Sequence, residues 1–288
     1  MKAIYSLVHL TNPYCTPPEL IYAAVEAGYD CVGLRGIPTR VSQCLTETEQ
    51  NGKSAVSQAI TGNMPFDFVN DHELFWETQK AVKRTGVPVH DSENARIFDG
   101  VDVANYEEDL ALTSELGVKH ILTNIWTDDK DFYIKQFIKL CKIASKYDIT
   151  VNLEFVTWAS IRNIRECREL LEASHCDNVG IVLDTLHYYR SRVSLDDVRS
   201  LPHKWFSYLH LSDCEAEIPE ERDKLIATGI NGRLLPGEGA VDIRSIVNAL
   251  PDAIRGIEVP NEKRMHELGF EKYIKKALVT TKEYLGDM

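Results

Sequence analysis

Short apolar runs rich in β-branched and aromatic residues alternate along this chain with longer stretches whose apolar positions recur at helical spacing. Ala3–His9 reads as a first strand. Pro17-Pro18-Glu19 opens a helix to about Ala27, with Gly28 as its stop. Cys31–Arg35 is a second short strand. Residues 36–70 then break the rhythm with Gly, Pro, Ser, Thr and Asn, and a loop of that length in a compact domain is functional or mobile. Helix returns over Glu73–Thr85, and Gly86–His90 is the third strand, ending on His90. Asn105–Leu116 and Val118–Thr123 form the next helix–strand pair, and Asp131–Tyr147 is helical.

Strands ending at Glu154, Asp184, His210 and Glu258 complete the set, separated by helices over Arg162–Ala173, Leu195–Leu201 and Asp242–Leu250. Asp213–Gly239 reads as a long polar connection, and Gly269–Leu285 is the closing helix. Eight strands alternating with helices predict a parallel sheet. A doubly wound open sheet should carry a glycine-rich turn after its first strand. Here that strand runs into His9-Leu-Thr-Asn-Pro13, without glycine. The pattern therefore predicts an α/β fold: a (β/α)₈ TIM barrel, with residues 1–288 as one domain and an insertion over about 36–70.

Composition fits this reading. The 288 residues are 44% hydrophobic and 26% charged, ordinary for a globular barrel of about 250 residues or more. The formal charge of −12 argues against nucleic acid, whose backbone is bound by Lys and Arg, and against anionic membranes. No apolar run approaches the roughly 20 residues needed to span a bilayer, and Met1–Leu10 reads as a strand instead of a signal peptide. The seven cysteines include no C-x-x-C pair, which suits reduced thiols in a soluble cytoplasmic protein.

The chemistry lies at four strand ends. Thr150-Val-Asn-Leu-Glu154, Val179-Gly-Ile-Val-Leu-Asp184, Trp205-Phe-Ser-Tyr-Leu-His210 and Ile254-Arg-Gly-Ile-Glu258 each finish on a hard metal ligand. In a parallel barrel the C-terminal strand ends converge on one mouth. Glu154, Asp184, His210 and Glu258 would then share a pocket suited to one divalent ion, Mn²⁺, Co²⁺, Mg²⁺ or Zn²⁺.

Together with Leu183-Asp-Thr-Leu-His187, Leu209-His-Leu-Ser-Asp213, Leu235-Pro-Gly-Glu-Gly239 and Gly256-Ile-Glu258, these segments resemble the xylose isomerase-like TIM barrels. That superfamily holds sugar (phosphate) isomerases and epimerases, inosose and dehydroshikimate dehydratases, and an AP-endonuclease branch. The resemblance is tight over about residues 150–260; elsewhere only the βα rhythm matches. It implies that Glu154, Asp184, His210 and Glu258 hold the metal, that His187 and Arg233 contact substrate, and that the protein forms a homodimer or homotetramer.

Lewis-acid stabilisation of an enediolate, with Glu154 and Glu258 as proton carriers, gives three outcomes. Return of the proton to the opposite face epimerises, return to the neighbouring carbon isomerises, and loss of a β-hydroxyl dehydrates. The leading expectation is an isomerase or epimerase of a small sugar or keto-polyol. A lyase dehydrating an inosose or dehydroshikimate-like compound is the alternative. A nuclease fits least, because Asn231-Gly-Arg-Leu-Leu lacks the Asp-x-His that the resemblance to that branch would require. His90 and Trp158 are further candidates for the pocket wall, with Trp126, Phe155, Glu93 and Arg35 behind them. Each has a plainer reading as a packed or ion-paired residue. Asp213 reads as a loop anchor or a partner of His210.

Overall fold

The computed structural model describes residues 2–39 and 66–287; residues 40–65, most of the predicted insertion, lie outside the described residues. Eight parallel strands close into a barrel. They are β1 (Tyr5–Val8), β2 (Cys31–Leu34), β3 (Val89–Ser92), β5 (His120–Thr123), β7 (Thr150–Glu154), β8 (Val179–Asp184), β9 (Tyr208–Leu211) and β10 (Ile254–Ile257). The ring runs β1-β10-β9-β8-β7-β5-β3-β2. Two further short strands, β4 (Ile97–Phe98) and β6 (Ile125–Trp126), pair with each other beyond the ends of β3 and β5.

The helices start and stop where their sequences direct. Thr16 and Glu19 form a reciprocal capping box ahead of α1 (Pro17–Ala27). Asp71 caps α2 (His72–Thr85), and Asp129 caps α4 (Lys130–Ser145), which follows α3 (Glu107–Glu115). Asn163 caps α5 (Ile164–Ser174). Two short helices follow β8: α6 (Thr185–Arg190) directly, then α7 (Leu195–Arg199). The connection after β9 is not purely loop, because Arg222–Asn231 forms α8, with Ile226 and Gly229 buried. Its weak apolar pattern hides it in the sequence; it is held by packing on the barrel mouth. Helices α9 (Ile243–Ala249), α10 (Glu262–Leu268) and α11 (Phe270–Leu285) complete the chain.

The buried core divides into two large clusters, one around β5, β7, β8 and β9 and one around β1, β2 and α11. The six described cysteines are free thiols. No helix among the described residues is long and apolar enough to cross a membrane.

Register brings the predicted strand ends to one level. Asp184 pairs with His210 across β8 and β9, Glu154 lies opposite Val182, and the Glu258 N–H donates to the Leu211 carbonyl at 3.1 Å. Strands β7, β8, β9 and β10 are consecutive neighbours, so the four side chains line one arc of the mouth. The third strand departs from expectation. Val89 pairs with Val32 and Asp91 with Gly33, leaving His90 as an extra residue in a bulge. A bulge re-aims the strand that follows it, and β3 ends at Ser92, two residues beyond the predicted stop.

Candidate active site

Each candidate ligand owes its orientation to its own element. Asp184 is the last residue of β8 and the N-cap of α6. Its Oδ1 accepts from the Leu186 and His187 N–H groups at 2.8 and 3.1 Å, leaving Oδ2 towards Arg233 and the other three candidate ligands. The capping and ligand readings of this residue are thus compatible, one oxygen for each. Glu154, Asp184, His210 and Glu258 are all buried, and one ligand atom from each lies within 4.8 Å of the others. His210 Nδ1 sits 3.4 Å from Glu258 Oε1 and 3.9 Å from Glu154 Oε1, and it has no hydrogen-bond partner.

Arg233 closes the arc. Its Nη1 lies 2.5 Å from Asp184 Oδ2 and 2.8 Å from Glu258 Oε2, while Nε donates to the Gly229 carbonyl at 2.7 Å. Burial raises Glu154, and the charges of Glu258 and Asp184 add to it, pushing its carboxyl up to about 8. Burial also pushes Glu258 upward, but Arg233 and His210 outweigh it and hold that carboxyl below the ordinary range. For His210, burial is overcome by Glu258, Glu93 and Glu154, and the ring is raised to about 10. A cluster that draws a proton onto a fully buried imidazole is one short of positive charge. Three carboxylates and an imidazole at this spacing fit a hard divalent cation.

A second line of polar groups reaches Glu154 from β6. Trp126 Nε1 donates to Asn124 Oδ1 at 2.6 Å, and Asn124 Nδ2 donates to Glu154 Oε2 at 3.3 Å. The indole thereby fixes which end of the amide faces the carboxylate. Asn124 is missing from the sequence reading, although it stands immediately after β5, where a polar residue follows the apolar run just as at the other strand ends. Asp91 is also missing: its carboxylate lies within 4.8 Å of ligand atoms of Glu93 and His210, and burial pushes it up to about 8.

The remaining expected residues divide cleanly. His187, Arg233, Trp158, Trp126, Glu93 and Arg35 line a cavity of about 790 Å³ together with Glu154 and Glu258. His187 is buried and shifted down to about 4, chiefly by burial; its Nδ1 lies 3.2 Å from Thr157 Oγ1, and the ring stands edge-on to Trp158. Gly229 on α8 touches the Trp158 ring so closely that a Cβ there would come within 2.3 Å of it. Arg35 pairs with Glu93 at 3.4 Å. Two candidates go elsewhere. His90, the bulge residue, lies tilted against the His120 ring and edge-on to Tyr208, and is not part of the cavity wall. Phe155 turns into the hydrophobic core. Asp213 is a loop anchor, accepting the N–H groups of Cys214, Gly237, Gly239 and Val241 at 2.9–3.0 Å.

The family model for the xylose isomerase-like TIM barrel matches residues 21–282. This chain belongs to that family. Among curated relatives it is 26% identical over 186 residues to an inosose isomerase of Bacillus licheniformis, a match covering 59% of this chain and 64% of that protein. The chain spans about half to two thirds of the length of the curated relatives it matches. In fold it is similar to the IolI protein, solved with a bound zinc atom (TM-score 0.74, 17% identity, 99% of this chain and 98% of that one). It is likewise similar to the probable 3-DHS dehydratase AsbF of Bacillus anthracis (TM-score 0.70, 17% identity, 97% of this chain and 99% of that one).

Proposed function

We propose that this protein is a cytoplasmic, divalent-metal-dependent isomerase or epimerase of a small polyhydroxy ketone, with Glu154, Asp184, His210 and Glu258 as its metal ligands. The observation that carries the reading is the convergence of those four ligand atoms within 4.8 Å of one another, beside a glutamate shifted towards neutral pH. A divalent cation bound there supplies Lewis acidity that stabilises negative charge developing on substrate oxygens.

The chain's own groups supply the rest. Glu154, with its raised carboxyl and a single neutral amide on Oε2, is the better proton acceptor for the carbon next to a carbonyl. Glu258, held ionised by Arg233 and His210, is the stronger acid once it carries a proton. Return of the abstracted proton by Glu154 to the adjacent carbon, with the hydroxyl proton passing to the former carbonyl oxygen, moves the carbonyl. Inversion instead requires Glu258 to take a proton from solvent and deliver it to the opposite face, while Glu154 releases the abstracted proton to solvent. His187 is neutral and offers a ring nitrogen to a substrate hydroxyl. Arg233 neutralises the ligand arc, and Trp158 with Val156 gives a dry wall beside the base. Isomerisation is favoured over dehydration because the sequence relatives are named inosose isomerases, whereas the dehydratase likeness is one of fold.

The test has two parts. Metal content is measured on protein purified without chelator, beside an Asp184→Ala/Glu154→Gln double variant, and inososes and ketoses are incubated in D₂O and followed by NMR. About one metal per chain, lost in the variant, with deuterium entering next to the carbonyl, is the expected result. Failure to take up Mn²⁺, Co²⁺, Mg²⁺ or Zn²⁺ even after reconstitution sinks the mechanism.

A further inference from the structure

The barrel interior on the far side of His210 from the ligand arc holds groups that the reaction described above does not use. Strand β3 stands directly across the ring from β9, so inward-facing residues of β3 and its continuation meet His210 over the barrel axis. Glu93 Oε1 lies 3.9 Å from His210 Nε2, and a carboxylate oxygen of Asp91 lies within 4.8 Å of ligand atoms of both residues. All three residues are between 0% and 3% exposed, and Asp91 Oδ2, Glu93 Oε1 and His210 Nε2 each lack a hydrogen-bond partner among the described residues. Atoms at this spacing are joined by one bridging water at ordinary hydrogen-bond lengths of about 2.7–3.2 Å. Two features of the neighbouring strands seat Asp91. The bulge at His90 pairs Asp91, in place of His90, with Gly33, and a one-residue shift exchanges the faces to which side chains point. Gly33 then leaves the space that the carboxylate occupies: a Cβ there would come within 2.6 Å of Asp91 Oδ1 and 2.9 Å of Oδ2.

We propose that Asp91 is a positioning residue for His210: with Glu93, it receives the Nε2–H through one bridging water and so keeps the Nδ1 lone pair turned into the ligand arc. The proposal rests on the metal reading above and names what holds its imidazole ligand. A neutral imidazole carries a proton on one ring nitrogen and a lone pair on the other. Nδ1 is the nitrogen beside Glu258 and Glu154, at 3.4 and 3.9 Å, so Nε2 is left with the proton. A protonated nitrogen binds no cation, and Asp91 and Glu93 therefore do not form a second metal site with His210. A carboxylate that receives the outer N–H of a ligating histidine fixes its tautomer and raises the basicity of the ligating nitrogen. Glu93 shares its charge with Arg35 and lines the cavity, whereas Asp91 does not belong to the cavity wall. Asp91 thus acts on the substrate through His210 alone.

The experiment measures Zn²⁺ and Mn²⁺ affinity and stoichiometry by chelator competition on the full chain, in wild type, Asp91→Ala, Gly33→Ala and the double variant. Denaturant unfolding of each metal-free protein runs alongside, because a purely structural role would move stability and leave the affinity of the folded chain alone. Asp91→Ala is expected to weaken binding by about 10–100-fold. Gly33→Ala, which displaces the carboxylate, is expected to weaken it as well, and to add about twofold or less in the Asp91→Ala background. A long-range ¹H–¹⁵N spectrum of Zn²⁺-loaded wild type is expected to show His210 with its proton on Nε2. Unmoved affinity in Asp91→Ala, an equal loss from Gly33→Ala in both backgrounds, two ions per chain, or a His210 proton on Nδ1 overturns the inference. The spectrum needs no variant, so it decides even where a substituted chain does not fold. Wild type that binds no ion overturns the metal reading and this inference with it. One ion per chain with unmoved affinity in Asp91→Ala overturns this inference alone.

Discussion

Glu154 and Glu258 look alike in the sequence, each the residue at which an apolar strand run ends, yet the fold gives them opposite surroundings. Glu154 accepts from the neutral amide of Asn124, with the indole behind it, and the charges that act on it most are the carboxylates of Glu258 and Asp184, with His210 Nδ1 no nearer than 3.9 Å. The Glu258 side is built from charge, with the Arg233 guanidinium at 2.8 Å and His210 Nδ1 at 3.4 Å. Burial penalises both carboxylates, but only Glu258 has cations close enough to reverse it. Two identical side chains thus acquire opposite shifts from their neighbours, and the proposed function uses them as base and acid.

Glu258→Gln is the substitution that should do most damage. It removes a proposed ligand and proton carrier, and among the described residues it leaves Arg233 with Asp184 as its remaining carboxylate at salt-bridge distance. Breaking one half of a buried pair costs about 3–5 kcal/mol, so a loss of about 3 kcal/mol by denaturant unfolding is expected, with metal content and turnover both near zero. Glu154→Gln is expected to lower turnover by about 10²–10⁴-fold, the span of general-base catalysis, without destabilising the metal-free chain. If the two variants are equally destabilised, the two sides of the site are not different in the way described.

Asn124→Ala tests the neutral side more gently. A hydrogen bond to a charged group contributes about 1.5–3 kcal/mol, so kcat should fall by about 10- to 150-fold. The base limb of the kcat/KM profile should move to higher pH, because the ionised form of Glu154 loses its donor. Trp126→Phe, which frees the amide to flip, should give the same shift in smaller measure. A loss of activity with an unmoved pH profile would mean that Asn124 serves packing and not Glu154.

The barrel and the convergence of Glu154, Asp184, His210 and Glu258 were legible because they depend on periodicity and on polar residues interrupting apolar runs, both local properties. The inequality of the two glutamates was not legible. It comes from Asn124, 30 residues before Glu154, and from Arg233, 25 residues before Glu258, and only closure of the barrel sets them beside their partners. His90 misled for a related reason. Val-Pro-Val-His scans as a strand ending in a ligand, but the bulge at His90 spends that residue on the barrel interior and passes the mouth to Glu93. Helix α8 was read as loop because its burial lies against Trp158, a tertiary contact that leaves little amphipathic trace.

The effect that separates the two glutamates without any substrate is the pH dependence of stability in metal-free protein. Glu154 is raised from an ordinary value of 4.5 to about 8. The folded chain therefore keeps a proton that the unfolded chain releases, and the associated stability is full below pH 4.5 and lost as pH rises to 8. Glu258 is lowered, so its contribution has the reverse sign: present above 4.5, and lost as pH falls below that value. Each limb should slope by on the order of 1 kcal/mol per pH unit. Denaturant unfolding across pH 3–9 should accordingly show Glu154→Gln flattening the limb between 4.5 and 8, while Glu258→Gln flattens the limb below 4.5. Both substitutions flattening the same limb would mean that the two carboxylates share one environment, and the division of roles between them would fall.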